Sequence, residues 1–190
     1  IQVAAERVLR PGRKLSPQDI VYHEFCARFP FSETDDQLNA IAETVADLEG
    51  EKPMDRLICG DVGFGKTEIA LRATFSAVMA GGQVAVVAPT TLLSRQHYAT
   101  FSERFQGYPV KIAQLSRMVS LRDAAEIKAG ITDGTIDIVI GTHAILGKSI
   151  KFNDLALLVV DEEQRFGVAQ KEKMKQIRSD VHVLTLTATP

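Results

Sequence analysis

ICGDVGFGKTEIAL, residues 58–71, sets three glycines, a lysine and a threonine between two apolar runs. Within it, GDVGFGKT (60–67) matches G-x-x-x-x-G-K-[ST], the phosphate-binding loop. The flanks supply the context that motif needs: DRLIC (55–59) reads as a short strand and KTEIALRATFSAVMAGG (66–82) as a helix. Gly60, Gly63 and Gly65 permit backbone angles that let successive N–H groups of the loop, those of Asp61, Val62 and Phe64 among them, point at one anion. The helix N-terminus adds partial positive charge. Lys66 reaches the outer phosphates, which makes it both a binding and a catalytic candidate, and the Thr67 hydroxyl is a candidate Mg²⁺ ligand.

Outward from the loop, strand and helix patterns alternate. QVAVVAP (83–89), VKIAQL (110–115), IDIVIGT (136–142), LALLVV (155–160) and VHVLTLTA (181–188) read as strands. TLLSRQHYATFSERF (91–105), LRDAAEIKAG (121–130) and QKEKMKQIR (170–178) read as helices between them. The strands are continuous apolar runs, as expected of strands buried on both faces of a parallel sheet. This predicts an α/β fold, a RecA-like P-loop domain whose mostly parallel sheet carries helices on both faces, with ligands at the carboxyl ends of the strands. Upstream, TDDQLNAIAETVADLEG (34–50) is an amphipathic helix ended by Gly50. Residues 1–30 read as a helical approach segment, with Pro11, Gly12 and Pro17 as breakers before PQDIVYHEFCARF, and residues 31–190 are expected to form the P-loop lobe.

The chain has 190 residues, 45% hydrophobic and 24% charged, with formal net charge −2. That suits one domain with a real core and excludes a disordered or collagen-like chain. No apolar run approaches the roughly 20 residues of a membrane span. The start lacks the apolar centre of a secretory signal, so a cytoplasmic protein without a membrane partner is expected. Cys26 and Cys59 suit a reducing compartment without disulfides, and Cys59, ending a buried strand, reads as core. The slight negative charge argues against a blanket grip on nucleic acid but leaves room for a local track. His23 and His182 show no ligand spacing, and KEKMKQIRSD (171–180) reads as an exposed helix face.

A phosphate loop needs a second acid for its metal, and LALLVVDEEQ (155–164) supplies one at a strand end. Asp161 is placed to hold Mg²⁺, and Glu162 to orient and deprotonate the attacking water. An adjacent Asp–Glu pair separates hydrolases from P-loop kinases.

GDVGFGKT, APTTLL, GTHAIL, DEEQ and TATP stand in the order of motifs I, Ia, Ib, II and III of superfamily 2 helicases and translocases, which the chain resembles from about residue 29 to residue 190. Within that superfamily it is most similar to the first motor lobe of the bacterial transcription-repair coupling factors, on FPFSETDDQ, MDRLICGDVGFGKTE, PTTLLSRQHY, VDEEQRFGV and VLTLTATP. Branch-migration helicases of the RecG type share GDVG-GKT and RFGV. Their acidic box usually reads Asp-Glu-Gln-His, whereas Asp161-Glu162-Glu163-Gln164 stands here, which favours the coupling factors.

The resemblance implies an ATP hydrolase with ATP and Mg²⁺ that moves along double-stranded DNA. It also implies pushing on stalled RNA polymerase and recruiting excision-repair proteins, both through regions outside these residues. A second α/β lobe would carry an arginine finger, so this chain is expected to be one lobe of a two-lobe motor and inactive alone. A non-hydrolysing nucleotide-binding module, against which Glu162 argues, and an ATP-dependent interaction scaffold stay open as other classes.

Gln37 follows Thr34 by three residues and completes a capping box. The resemblance implies that it also reads the adenine edge, with Phe31 or Phe29 stacking on the ring. Thr90 and Thr91 end a strand and open a helix, where their hydroxyls suit either a DNA phosphate or an N-cap. Thr142 and His143 end another strand, and Ser116 and Arg117 occupy a third such loop; by resemblance all touch the DNA backbone. Arg95 and His97 read as a solvated helix face. By resemblance, Gln164, Thr187 and Thr189 couple the nucleotide site to the DNA track.

Overall fold

Thr34 caps the helix that follows it through its own side chain: Thr34 Oγ1 accepts from Gln37 N at 3.2 Å, and Gln37 Oε1 accepts from Thr34 N at 2.9 Å. The computed structural model describes residues 13–16, 19–61, 65–177 and 180–188. Pro11, Gly12, Pro17, Val62, Gly63, Phe64 and Thr189 lie outside the described residues. Helices α1 (Asp19–Ala27) and α2 (Asp35–Glu49) precede strand β1 (Asp55–Cys59) and helix α3 (Lys66–Met79). Gly50 ends α2 with φ −71° and ψ 172°, extended backbone rather than the left-handed turn expected of a terminal glycine. The chain continues through β2 (Gln83–Val87), α4 (Thr91–Arg104), β3 (Ile112–Leu115), α5 (Leu121–Asp133) and β4 (Ile138–Gly141). A 3-10 turn (His143–Leu146), β5 (Leu155–Asp161), a second 3-10 turn (Glu163–Arg165), α6 (Val168–Lys175) and β6 (His182–Thr187) complete it. No helix among the described residues is long and apolar enough to cross a membrane.

The six strands form one sheet in the order β1-β6-β5-β2-β4-β3, every neighbouring pair parallel. Alternate side chains feed two cores. Val84, Val86, Leu157, Val159, Ile138 and Ile140 face α1 to α4, together with Phe25, Phe75 and Phe101. Ala85, Val87, Leu158 and Val160 face α5, Ile145 of the first 3-10 turn and Met174 of α6. The central strands β2 and β4 are buried throughout, as continuous apolar runs predict. β1 departs from that expectation: as an edge strand paired only with β6 it buries Ile58 alone, and Cys59 is exposed rather than core. Strand order, not strand composition, decides this.

Helix α3 is sunk into the molecule, with residues 68–77 all buried, and it carries charge there. Arg72 Nε donates to Glu68 Oε1 at 2.8 Å, and Arg104 Nη2 donates to the same oxygen at 3.0 Å and to the Phe25 carbonyl at 3.0 Å. The second Glu68 oxygen accepts from Arg104 Nη1. Arg72 Nη2 donates to Glu33 at 2.5 Å, and that bond holds the Glu33 carboxyl below the usual carboxylate range. One carboxylate thus pairs with two buried guanidiniums, Arg104 Nε alone of their cluster being buried without a hydrogen bond among the described residues, and the cluster ties α3 to α1, α4 and the segment before α2. Glu68→Ala is expected to cost about 3–5 kcal/mol, because it leaves two cations without their shared anion. Urea unfolding measures it, and a loss under about 1 kcal/mol would mean that water compensates the arginines.

Candidate active site

The parallel register brings the strand ends to one edge. Cys59 pairs with Thr187, Leu186 with Asp161, Val160 with Val87, and Gly141 with both Val87 and Leu115. The loops leaving β1, β5 and β6 are therefore neighbours, and so are those leaving β2, β3 and β4. The first group carries the nucleotide candidates and the second the DNA candidates.

At the β1 end, Gly60 N donates to the Thr187 carbonyl at 3.1 Å, which fixes where the candidate phosphate loop starts. Lys66 Nζ folds over that start, donating to the carbonyls of Gly60 at 2.7 Å and Asp61 at 3.1 Å. Gly65 precedes α3 at φ +81°, the left-handed region that favours glycine, and no side chain caps α3. A Cβ at Gly65 would lie 2.0 Å from Gln37 Nε2. Gln37 is buried, its oxygen spent on the Thr34 cap and its amide nitrogen turned to the phosphate loop. The capping role is therefore present, and the same side chain reaches the loop. Thr67 is the second residue of α3, half-buried. Phe31 is 73% exposed and meets Phe29 edge-on with centroids 5.7 Å apart, while Phe29 lies under the Arg72 guanidinium at 5.8 Å.

At the β5 end, Asp161 is buried and Glu162 turns the chain at φ 53° and ψ 51°, the one left-handed non-glycine among the described residues. Such a conformation costs of order 1–3 kcal/mol and persists where surrounding bonds impose it. Here Glu162 N donates to the Leu186 carbonyl at 2.8 Å and Arg165 N donates to the Glu162 carbonyl at 2.9 Å. The Glu162 carboxylate accepts from Gln164 Nε2, and Gln164 Oε1 accepts from Thr187 Oγ1 at 3.0 Å. A chain of hydrogen bonds thus runs from the acidic box to the end of β6, through two of the three residues assigned to coupling.

His97 is not on a solvated face. Its Nε2 lies 2.6 Å from Asp161 Oδ2, with side chains 11% and 12% exposed. Arg95, by contrast, is exposed as expected. The signal for His97 was legible: Ser94, His97, Phe101 and Arg104 recur at helical spacing, and the other three are buried. The buried Glu68–Arg72–Arg104 cluster was also unforeseen, because isolated charges in a helix read as surface.

In the second group, Thr90 Oγ1 accepts from Leu93 N at 3.2 Å, so the N-cap reading of Thr90 is realised, and Thr91 is the first residue of α4. Ser116 is buried and its hydroxyl accepts from Met118 N at 3.2 Å, shaping a turn that leaves Arg117 exposed. Thr142 precedes the first 3-10 turn without a side-chain cap bond, and His143 is half-buried. Among the described residues no group of three His, Cys, Asp or Glu gathers to hold a metal ion. A divalent ion at Asp161 would therefore depend on hydroxyl, water and phosphate oxygens for its other ligands.

The sequence signature of the DEAD/DEAH box helicases matches residues 34–190. The chain is 54% identical over 190 residues to the transcription-repair-coupling factor of Bacillus subtilis, covering all of this chain and 16% of that protein. To the protein of the same name in Mycobacterium tuberculosis it is 52% identical, covering 15% of it. The chain thus spans about a sixth of the length of these relatives. A solved structure of RecG bound to a three-way DNA junction superposes with a TM-score of 0.85 at 36% identity, over all of this chain and 25% of that one.

Proposed function

The chain belongs to the DEAD/DEAH box helicase family, and from that premise we propose that it is the ATP-binding lobe of a double-stranded DNA translocase. We assign that translocase to transcription-coupled repair, where it displaces stalled RNA polymerase, and the lobe itself to residues 31–190. The observation that carries the reading is the convergence of Lys66, Asp161, Glu162 and the Gln164–Thr187 bond on one half of the sheet edge. The loops after β2, β3 and β4 fill the other half.

Thr67 and Asp161 would hold Mg²⁺. The fit rests on Asp161, whose Oδ2 meets His97 and whose Oδ1 has no partner among the described residues. When bound, the ion supplies positive charge to the phosphates. Lys66 and the loop N–H groups bind the phosphates of ATP, and Glu162 takes the proton of the attacking water. Gln37 reads adenine beside Phe31, whose exposed face suits stacking better than that of Phe29, under Arg72. Thr90, Thr91, Ser116, Arg117, Thr142 and His143 contact the DNA backbone without reading bases. Gln164, Thr187 and Thr189 couple the two halves. RNA polymerase and repair proteins bind elsewhere in the parent protein, in the cytoplasm.

The likeness to RecG favours a second reading, branch migration, but the greater identity to coupling factors over the same residues ranks it below. The full-length parent protein, which carries both motor lobes and the polymerase-binding region, tests both. Duplex-stimulated ATP turnover with release of a stalled polymerase is expected; turnover indifferent to duplex would sink the translocase reading. Junction migration without polymerase release would favour the RecG-type one.

Gln37→Ala separates adenine reading from capping. Loss of the cap is expected to lower stability by about 1 kcal/mol or less. Loss of base reading is expected to weaken ATP roughly tenfold, one good hydrogen bond, while GTP affinity stays unchanged. Paired nucleotide titrations check this, and equal losses for ATP and GTP would reduce Gln37 to a structural residue.

A further inference from the structure

We propose that His97 is the positioning residue that sets the Asp161 carboxylate for the divalent ion; the inference rests on the nucleotide-site reading above. Asp161 ends β5 and is the acid assigned to the metal. A carboxylate only accepts hydrogen bonds, so the hydrogen in the 2.6 Å contact sits on His97 Nε2 and occupies Asp161 Oδ2. With one oxygen fixed, the carboxyl plane is fixed, and Oδ1 is the atom left to face a metal or its water. Ligating carboxylates are commonly held by such an outer hydrogen bond, and losing that bond weakens metal binding without removing a ligand.

The histidine is itself immobilised. Its ring meets Phe101, one helical turn on, edge-to-face at 90° with centroids 6.4 Å apart, and Phe101 is fully buried. Ser94, one turn before, is also buried. α4 therefore presents His97 from a packed stripe rather than a free surface. The same helix opens at Thr91, beside the Thr90 cap, about 9 Å away along its axis. The partner of the metal acid thus rides on the element that begins in the proposed DNA loop.

Binding of a fluorescent ADP to the 190-residue chain, with Mg²⁺ titrated from none to saturation, tests the assignment. Wild-type protein is expected to bind more tightly as Mg²⁺ is added. His97→Leu should match it without Mg²⁺ and need roughly tenfold more Mg²⁺ to reach the same affinity. His97→Gln, whose amide reaches about as far as Nε2, should restore the wild-type Mg²⁺ response. His97→Asn keeps a polar side chain too short to reach Asp161, and should behave like His97→Leu even where leucine disturbs the fold. An unchanged Mg²⁺ response in both the leucine and asparagine variants overturns the inference. So does an equal loss with and without Mg²⁺, which marks a packing role. Wild-type protein that binds no nucleotide under either condition instead overturns the site reading, and this inference with it.

Discussion

Lys66→Ala is expected to weaken ATP binding at least a hundredfold while the domain melts near the wild-type temperature. Among the described residues the lysine Nζ bonds to the carbonyls of Gly60 and Asp61 and to no carboxylate, so no described acid loses its counter-ion when it goes. Alanine is also a strong helix former at the first position of α3. On the proposed role, what disappears is the charge that would face the phosphates. Each hydrogen bond to a charged group is worth about 1.5–3 kcal/mol, and the ammonium has three donors. Isothermal calorimetry on both proteins checks the affinity, and a thermal melt checks the fold. Equal affinities would remove the phosphate-loop assignment.

Glu162→Gln is expected to retain ATP binding and lose turnover by roughly 10²–10⁴, the usual contribution of a general base. The measurement belongs in a protein that carries both motor lobes, since the charge on the γ-phosphate needs neutralising from more than one side. Geometry makes the substitution a clean one. The backbone of residue 162 is held by its bonds to Leu186 and Arg165, and Gln164 can still donate to an amide oxygen. The left-handed turn should therefore survive, and only the capacity to accept a proton is lost. Near wild-type hydrolysis would show that another residue is the base.

Most of the fold was legible because its elements are long and strongly patterned. All six expected strands form, with β1 matching DRLIC residue for residue. The GDVGFGKT and DEEQ motifs are contiguous, and the structure sets each at the end of a strand, as their patterns predict. Illegible features were those made by residues far apart in sequence. Cys59 was expected in the core because a short apolar strand looks the same at the edge of a sheet as at its centre. Glu68, Arg72 and Arg104 each look like surface charges until α4 brings Arg104 against α3, across 36 positions of sequence.

Sequence alone was enough to read a parallel α/β domain and the Thr34–Gln37 cap, and to single out GDVGFGKT at 60–67 and the acids Asp161 and Glu162 as candidates. These rest on local chemistry: glycine backbone freedom, apolar period and short-range hydrogen bonds. Tertiary structure alone decided that β1 lies at the edge and that the nucleotide and DNA candidates divide one sheet edge between them. It alone turned Gln37 toward Gly65 and brought His97 to Asp161 across 64 positions of sequence. The physical reason is that a parallel sheet orders its strands by crossover connections rather than by sequence adjacency, so which strand ends become neighbours is settled only when the helices pack.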